Sequence, residues 1–354
     1  MIALMMAAAV AMALSLVGTR LTIVFFRNRG KGQPILGKED HGPEHQHKAG
    51  TPTMGGIAIV VSALVGYTVA HIRAGAVFSD QAMILFAAVL VMAFLGFLDD
   101  YIKVRISRNR GIFWKKKGYI TFVISVILAW LLISFTKISH TISFTRSDSP
   151  GWELPWWLWI FWAGAIIFAT TNAVNVTDGL DGLAAGSALM GFVAFAIIAY
   201  FGFRNGDIYA SVINPLDLAI VAVAFAGACG GFLWYNAAPA KIFMGDVGAL
   251  GIGAALALLA LTTNTHLLLP LICGINVMEA GSVAIQMGTF KATKRTGKPR
   301  RLFKMSPIHH HFELSGWPET TVIIRFWIIA GLCVATALAV FVADFTRLRE
   351  RLGR

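Results

Sequence analysis

N-A-V-N-V-T-D-G-L-D-G, residues 172–182, decides how this chain is read. It closes a run of 24 residues without a charge, Leu154 to Thr177, and a second apolar run opens at Leu183. Two asparagines and two aspartates therefore stand where one membrane-length segment ends and the next begins. Asn175, Asp178 and Asp181 are spaced by three, so a helix or helical turn carries them on one face. Gly179 and Gly182 leave room for a ligand or ion to approach the backbone. A carboxylate costs about 2.5–3.5 kcal/mol at the centre of a membrane helix on insertion scales, and less near the interface. The plain alternative is a polar loop joining two helices, and the rest of the chain weighs against it.

Of 354 residues, 57% are hydrophobic and 14% charged, with mean hydropathy +0.70. Soluble domains carry about 25% charged residues. The expectation is an all-α polytopic membrane protein, one integral membrane domain over residues 1–354. A net charge of +12 admits a nucleic-acid binder, but its distribution favours basic loops on one membrane face, and no nucleic-acid partner is expected. Cys229, Cys273 and Cys333 lie inside apolar runs and read as packing residues, not a disulfide framework. The first 19 residues lack a basic n-region, and Arg20 and Arg27 follow the apolar run. That pattern reads as a first span entering from outside rather than a cleaved signal.

Runs of about 20 apolar residues predict ten transmembrane helices, near 2–26, 55–73, 81–101, 119–136, 154–174, 183–203, 215–235, 246–264, 267–288 and 323–344. Asp246 and Glu279 bracket 32 uncharged residues, so only the polar cluster Thr262–His266 separates the eighth span from the ninth. One long helix there would leave nine spans and invert everything downstream. Loops one, three, five, seven and nine carry 5, 7, 0, 1 and 7 Lys and Arg, against 8 on the opposite side. The positive-inside rule then makes the odd loops cytoplasmic and places both termini outside. The basic tail Arg347–Arg354 runs against the rule, and charge patterning gives no account of it. In the exterior loop 137–156, Trp152, Trp156, Trp157 and Trp159 read as an interfacial belt, and the alternating T-I-S-F-T as a short periplasmic hairpin. No inverted repeat of the kind transporters use is visible.

The unusual polar groups all fall on the cytoplasmic side. Loop one holds His41, His45, His47 and Lys48, then G-T-P-T-M-G-G at 50–56, which includes Thr53. Loop three opens with Asp99 and Asp100, and Lys103 follows on the face of Asp99. Loop seven supplies Asn236 and K-I-F-M-G-D-V-G at 241–248, with Phe243 and Asp246; loop nine supplies P-I-H-H-H-F-E at 307–313. Asp99, Asp100, Asp178, Asp181 and Asp246 repel one another unless a cation or protons intervene. Oxygen ligands without cysteine suit Mg²⁺, while Lys48, Lys103, Lys115, Lys116 and Lys117 can hold phosphate charge. Carboxylates, a hard cation and lysines at a membrane surface point to phosphoryl chemistry on a lipid substrate.

Each residue also has a plainer reading. Adjacent Asp99 and Asp100 point about 100° apart on a helix, so they are not expected to ligate one ion together; one faces phosphate or metal and the other holds lysines, unless the pair is only a solvated helix end. Asp246 starts a helix and can simply cap it. His309, His310 and His311 cannot all face one ion on a regular helix, so zinc is disfavoured against hydrogen bonding to phosphate or peptide, or a solvated loop. Glu279 and Gln286 share a face of the ninth span, where Glu279 packs against a partner such as Asn276 or meets substrate. Phe243 stacks on a nucleobase or is packing.

Taken in order, H-K-A-G-T-P-T-M-G-G (47–56), F-L-D-D-Y-I-K (97–103), N-A-V-N-V-T-D-G-L-D-G-L-A-A-G (172–186), F-M-G-D-V-G (243–248) and P-I-H-H-H-F-E (307–313) resemble the phospho-N-acetylmuramoyl-pentapeptide transferase family over nearly the whole chain. The resemblance implies Mg²⁺-dependent transfer of phospho-MurNAc-pentapeptide from UDP-MurNAc-pentapeptide to undecaprenyl phosphate in the bacterial inner membrane, giving lipid I and UMP for peptidoglycan. By similarity Asp246 is the Mg²⁺ ligand, and Asp99, with Asp100 beside it, positions or deprotonates the lipid phosphate. Lys48, Thr53, Lys103, Asn175, Asp178, Asp181, Asn236, Phe243 and Gln286 resemble the substrate site, Phe243 stacking on uracil and Asp181 hydrogen-bonding it. The three histidines are placed near phosphate and peptide, and a homodimer is implied. The competing readings are a sister transferase using UDP-N-acetylglucosamine, which has no need of H-H-H-F-E, and a transporter or flippase, which needs polar groups near the midplane.

Overall fold

The computed structural model describes residues 1–28, 48, 50–75, 77–106, 111–295 and 297–353. His41, His45 and His47 lie outside the described residues. The chain forms α1 (Ile2–Asn28), α2 (Gly56–Ala74), α3 (Asp80–Ile106) and α4 (Trp114–Phe135), then a hairpin of β1 (Thr141–Arg146) and β2 (Ser149–Glu153). There follow α5 (Trp156–Thr177), α6 (Leu183–Arg204), α7 (Pro215–Asn236), α8 (Gly245–Thr262), the short α9 (Leu269–Ile272), α10 (Gly274–Arg295), the short α11 (Ile308–Glu313) and α12 (Glu319–Arg351). Among the described residues, nine helices are long and apolar enough to cross a membrane. The fold is therefore all-α and polytopic, with the expected hairpin at 141–153.

The centre of the bundle is α8, where every residue from Asp246 to Thr262 is buried. Its G-A-L-G-I-G-A-A-L-A run has small residues where other helices cross, so backbones approach closely. It packs on α2, α3 and α5. A Cβ on Gly56 would meet the Gly248 nitrogen at 2.1 Å, one on Gly96 the Asp246 carbonyl at 2.2 Å, and one on Gly253 the Thr171 Cα at 2.5 Å.

Two ends of the bundle are distinguishable. At one, Asp99, Lys117, Asn175 and Asp246 meet. At the other, the hairpin meets the α8–α9 connection and α12, with the Ser143 amide donating to His266 Nε2 at 2.9 Å and Arg146 paired with Asp344 at 2.9 Å. α1 runs parallel to α7, Ala8 lying against Gly227 and Met12 and Ser15 against Gly231, so both the start of α1 and the end of α12 lie at the hairpin end.

Three expectations change. The ninth span, 267–288, is not one helix: a turn at 263–268 separates it from α8, and it breaks at Cys273 into α9 and α10. Glu279, Lys291, Lys294 and Arg295 make α10 too polar to count as a span by composition. Trp159 does not join an interfacial belt, being 1% exposed in the core, whereas Trp152, Trp156 and Trp157 are exposed. Third, α3 continues past the expected end at 101 to Ile106, so Lys103 as well as Asp99 and Asp100 lies within the helix. The cysteines are free, Cys229 and Cys273 buried, as packing residues would be.

Two outcomes follow for stability. Burial pulls the His266 imidazole down to about 4 from 6.5, so the fold holds it neutral while the unfolded chain protonates it. Its contribution is complete above pH 6.5 and is lost as pH falls towards 4, about 2 kcal/mol of it between pH 7 and 5. Thermal unfolding in detergent is expected to show this loss, and His266→Gln to flatten that part of the profile. Gly253→Ala is expected to destabilise by about 1–3 kcal/mol through overpacking. Gly118→Ala in α4, where a Cβ meets nothing within 4 Å, is expected to be neutral or slightly stabilising; equal midpoints for the two variants would refute the close packing of α5 on α8.

Candidate active site

The last turns of α3, the first turn of α4 and the first turn of α8 meet in one charged nest. Asp99, Asp100 and Asp246 are 2%, 3% and 8% exposed, and each offers an oxygen within 4.8 Å of the others. Lys103 Nζ lies 2.7 Å from Asp99 Oδ2, 3.4 Å from Asp100 Oδ1 and 2.9 Å from Asp246 Oδ2. Lys117 Nζ lies 3.3 Å from Asp99 Oδ2 and also contacts Asp246 Oδ2. Asn175 Nδ2 donates to Asp246 Oδ1 at 2.6 Å, the Ile112 amide to Asp99 Oδ1 at 2.6 Å and the Val247 amide to Asp100 Oδ2 at 3.3 Å. Three carboxyl groups thus face two ammonium groups in a buried place.

Asp99 and Asp100 are expected from helical spacing to take different roles rather than to share one ion, yet each brings an oxygen within 4.8 Å of the other's and of an Asp246 oxygen from the facing helix. Asp246 also does more than cap α8: no side-chain cap bond forms there, and its oxygens turn to Lys103, Lys117 and Asn175. Of the three consecutive lysines only Lys117 reaches the nest; Lys115 lies over the Trp114 ring, and Lys115 and Lys116 are exposed.

Asn175, Asp178 and Asp181 do not share one face. α5 ends at Thr177, and Gly182, at φ +76°, turns the chain into α6. Asn175 and Asp178 face the nest; loss of water, then the Asp246 and Asp100 carboxylates, push the Asp178 carboxyl well above the usual range, with the Gly245 amide and Lys103 pulling against them. Asp181 faces away, its Oδ1 taking Lys48 Nζ at 2.7 Å and its Oδ2 the Ala240 amide at 2.9 Å. Lys48 also contacts Glu319.

Loops one and seven are stitched together. The Phe243 amide donates to the Pro52 carbonyl at 2.8 Å, and the Gly55 and Gly56 amides donate to the Phe243 and Met244 carbonyls at 3.0 and 2.9 Å. Phe243 is half-buried beside Thr53, itself buried. Gly245, at φ +73°, brings Asp100 and Thr53 together: a Cβ there would lie 2.4 Å from Asp100 Oδ2 and 2.9 Å from Thr53 Oγ1. Asn236 Nδ2 braces the Ile242 carbonyl at 2.9 Å, while its buried Oδ1 has no partner among the described residues.

The histidines separate. His309 is fully buried, and its Nδ1 lies 3.0 Å from Glu279 Oε2; its ring lies 2.6 Å from where a Cβ on Gly179 would be. His310 pairs with Glu313 at 2.8 Å, and His311 Nδ1 accepts the Lys304 amide at 3.1 Å. Glu279 thus meets His309 rather than Asn276, which donates to Thr177 Oγ1 at 3.0 Å. Gln286 spends its amide on backbone: Oε1 accepts from Leu302 and Phe303 at 2.9 Å, and Nε2 donates to the Phe303 carbonyl at 2.9 Å. Sequence reasoning missed Glu319 altogether and named Lys117 only as one lysine among several.

The donor set fits a hard divalent cation. It is all oxygen and anionic, and among the described residues it is the only group of three acidic, histidine or cysteine side chains so placed. Asp99, Asp100 and Asp246 would hold the ion, in competition with Lys103 and Lys117 for the same oxygens.

The family model described as glycosyl transferase family 4 matches residues 82–264, and the signature described as phospho-N-acetylmuramoyl-pentapeptide-transferase signature 1 matches residues 48–60. The chain is 46% identical to the phospho-N-acetylmuramoyl-pentapeptide-transferase of Frankia alni, covering 96% of this chain and 97% of that one. It is 44% identical to the protein of that name from Nocardioides sp., covering 97% and 98%, and 44% identical to the one from Cutibacterium acnes, covering 97% and 98%. The nest at 99–117 and 246 and the stitched loop at 48–56 fall within the two matched regions, and relatives of this similarity align from end to end. The chain belongs to the phospho-N-acetylmuramoyl-pentapeptide-transferase family.

Proposed function

We infer that this protein transfers phospho-MurNAc-pentapeptide from UDP-MurNAc-pentapeptide to undecaprenyl phosphate, releasing UMP and forming lipid I for peptidoglycan. The observation that carries the reading is the buried nest of Asp99, Asp100 and Asp246 with Lys103 and Lys117 at one end of a bundle of apolar helices. The chain acts as one integral membrane domain with ten crossings, α9 and α10 together making the ninth. The nest faces the bacterial cytoplasm, both termini lie outside, and two copies form a homodimer; the excess of Lys and Arg in the odd loops supports that orientation.

Both reactants are anions, so repulsion is the first obstacle. Lys103 and Lys117 lower it, and fixed positions convert an encounter into an in-line attack. An oxygen of the lipid phosphate bonds to the phosphorus next to the sugar, the bond from that phosphorus to UMP breaks, and UMP leaves with the electron pair. Asp99 orients the attacking phosphate and takes its proton where one remains; the phosphate is largely ionised at pH 7, so attack is direct. Asp246, with Asp99 and Asp100, would hold Mg²⁺, which would supply charge neutralisation for the transferring phosphoryl group. Phe243 stacks on uracil beside Thr53, Asp181 hydrogen-bonds the base, and Lys48, Asn175, Asp178, Asn236 and Gln286 complete the nucleotide and sugar-phosphate side. His309, His310 and His311 together lie on the phosphate and peptide side.

Radiolabel transfer in detergent tests this. Purified protein with both substrates and Mg²⁺ is expected to move label into the lipid fraction with release of UMP. EDTA is expected to abolish transfer, and Asp246→Asn to lower it by at least about a hundredfold, as loss of an electrostatic group at a transition state does. Activity surviving Asp246→Asn would overturn the metal assignment. Transfer from UDP-N-acetylglucosamine instead would move the chain to the sister reaction.

A further inference from the structure

We propose that Glu319 is a positioning residue for substrate binding: its carboxylate holds the Lys48 ammonium against Asp181 and so seats loop one on loop five. The proposal rests on the reading of Lys48 and Asp181 as part of the nucleotide side of the site. Lys48, Asp181 and Glu319 come from three distant parts of the chain, and their side chains are 10%, 4% and 18% exposed. Lys48 Nζ reaches Asp181 Oδ1 at 2.7 Å and also contacts Glu319 Oε1. The same Glu319 oxygen accepts the Asp181 amide at 3.3 Å. Asp181 is therefore gripped at its backbone by α12 and at its carboxylate by loop one and, through the Ala240 amide, by loop seven.

An acid in the first turn of a helix has an ordinary explanation, because the helix dipole favours it. That explanation predicts a carboxylate turned to its own first amides or to solvent. Glu319 instead spans to a lysine 271 positions away and to an amide 138 positions away. A lysine stem has many rotamers and its ammonium is a mobile point charge unless it is held. Asp181 alone would leave it free to swing about one partner. The second carboxylate removes that freedom and leaves the trio with one net negative charge. Glu319 touches substrate nowhere in this account; it acts through Lys48.

The test uses the full chain in detergent, with UDP and Mg²⁺ as the binding probe in calorimetry and steady-state kinetics on both substrates. Glu319→Gln is expected to weaken UDP binding and raise the KM for the UDP substrate about tenfold, less than full truncation of a buried pair because Asp181 still holds Lys48. The kcat and the KM for undecaprenyl phosphate are expected to stay within about twofold, since the charged nest is untouched. Glu319→Asp is expected to recover part of the affinity. Lys48→Met combined with Glu319→Gln is expected to bind UDP no more weakly than Lys48→Met alone, because the two residues act as one unit. Unchanged UDP affinity in Glu319→Gln, or additive losses in the double variant, would overturn the proposal. A fall of kcat and of the thermal midpoint together with a rise in both KM values, unrelieved by Glu319→Asp, would do so too, marking Glu319 as a structural pin. Wild-type protein that binds UDP but transfers nothing would sink the reaction assigned above, while the binding arm would still decide the role of Glu319.

Discussion

Two ammonium groups among three buried carboxylates are the constraint on which this molecule depends. A carboxylate removed from water is costly, and removing one partner of a buried pair leaves an uncompensated charge. Lys103 and Lys117 make Asp99, Asp100 and Asp246 tolerable, and they do so from two different helices. Helices α3, α4 and α8 must therefore end or begin at the same level, within an ångström or so, for the charges to pair. The apolar flanks of these helices set no such level, because sliding one along another exchanges one hydrophobic contact for another. The charges supply the axial register and the hydrocarbon faces supply the adhesion.

Glycine makes the convergence possible. Asp246 lies over Gly96 and Asp99 lies over Gly111; a Cβ on Gly111 would come within 2.4 Å of Asp99 Oδ1. Gly245 turns the chain with a positive φ that most side chains resist, and it does so at the one step where Asp100, Thr53 and Met54 crowd the backbone. A close nest of polar groups in a bundle of large apolar side chains would otherwise be held open by their bulk. The same reasoning covers Gly179, where the absent Cβ lets the buried His309 ring approach loop five.

Much of this was legible from residue order. Charge-free runs reveal membrane helices because backbone in hydrocarbon must bond to itself, and nine of the predicted spans appear with ends displaced by a few residues. The ninth was obscured because its break at Cys273–Gly274 carries no charge, and Pro270, in the first turn of α9, reads as a helix start rather than a break. The nest was legible as a set of aspartates on one side, but pairing was not: a stretch such as W-K-K-K cannot say that its third lysine turns inward while the first lies on Trp114. The expectation for Asn175, Asp178 and Asp181 failed because helical spacing was extended past Thr177, where the helix ends. Glu319 escaped notice since an acid after a proline at a helix start has a local explanation, and its partners lie far off in sequence.

The two ends of α12 show how the far side of the bundle bears on the site. This helix has 33 residues, about 50 Å at 1.5 Å per residue, and its outward face is broadly apolar, so packing fixes its tilt better than its height. At the hairpin end Asp344 accepts from Arg146 at 2.9 Å and from Thr145 at 2.5 Å. At the other end Glu319 takes Lys48 and the Asp181 amide. Polar contacts at both tips pin the helix along its axis, as no stripe of leucine or isoleucine can. The hairpin is in turn held to the α8–α9 connection through Ser143 and His266. A chain of directional bonds thus runs from the end of α8, through the hairpin and along α12, back to the loop that carries Asp181. It sets the height of Glu319 relative to the nest at the start of that same α8.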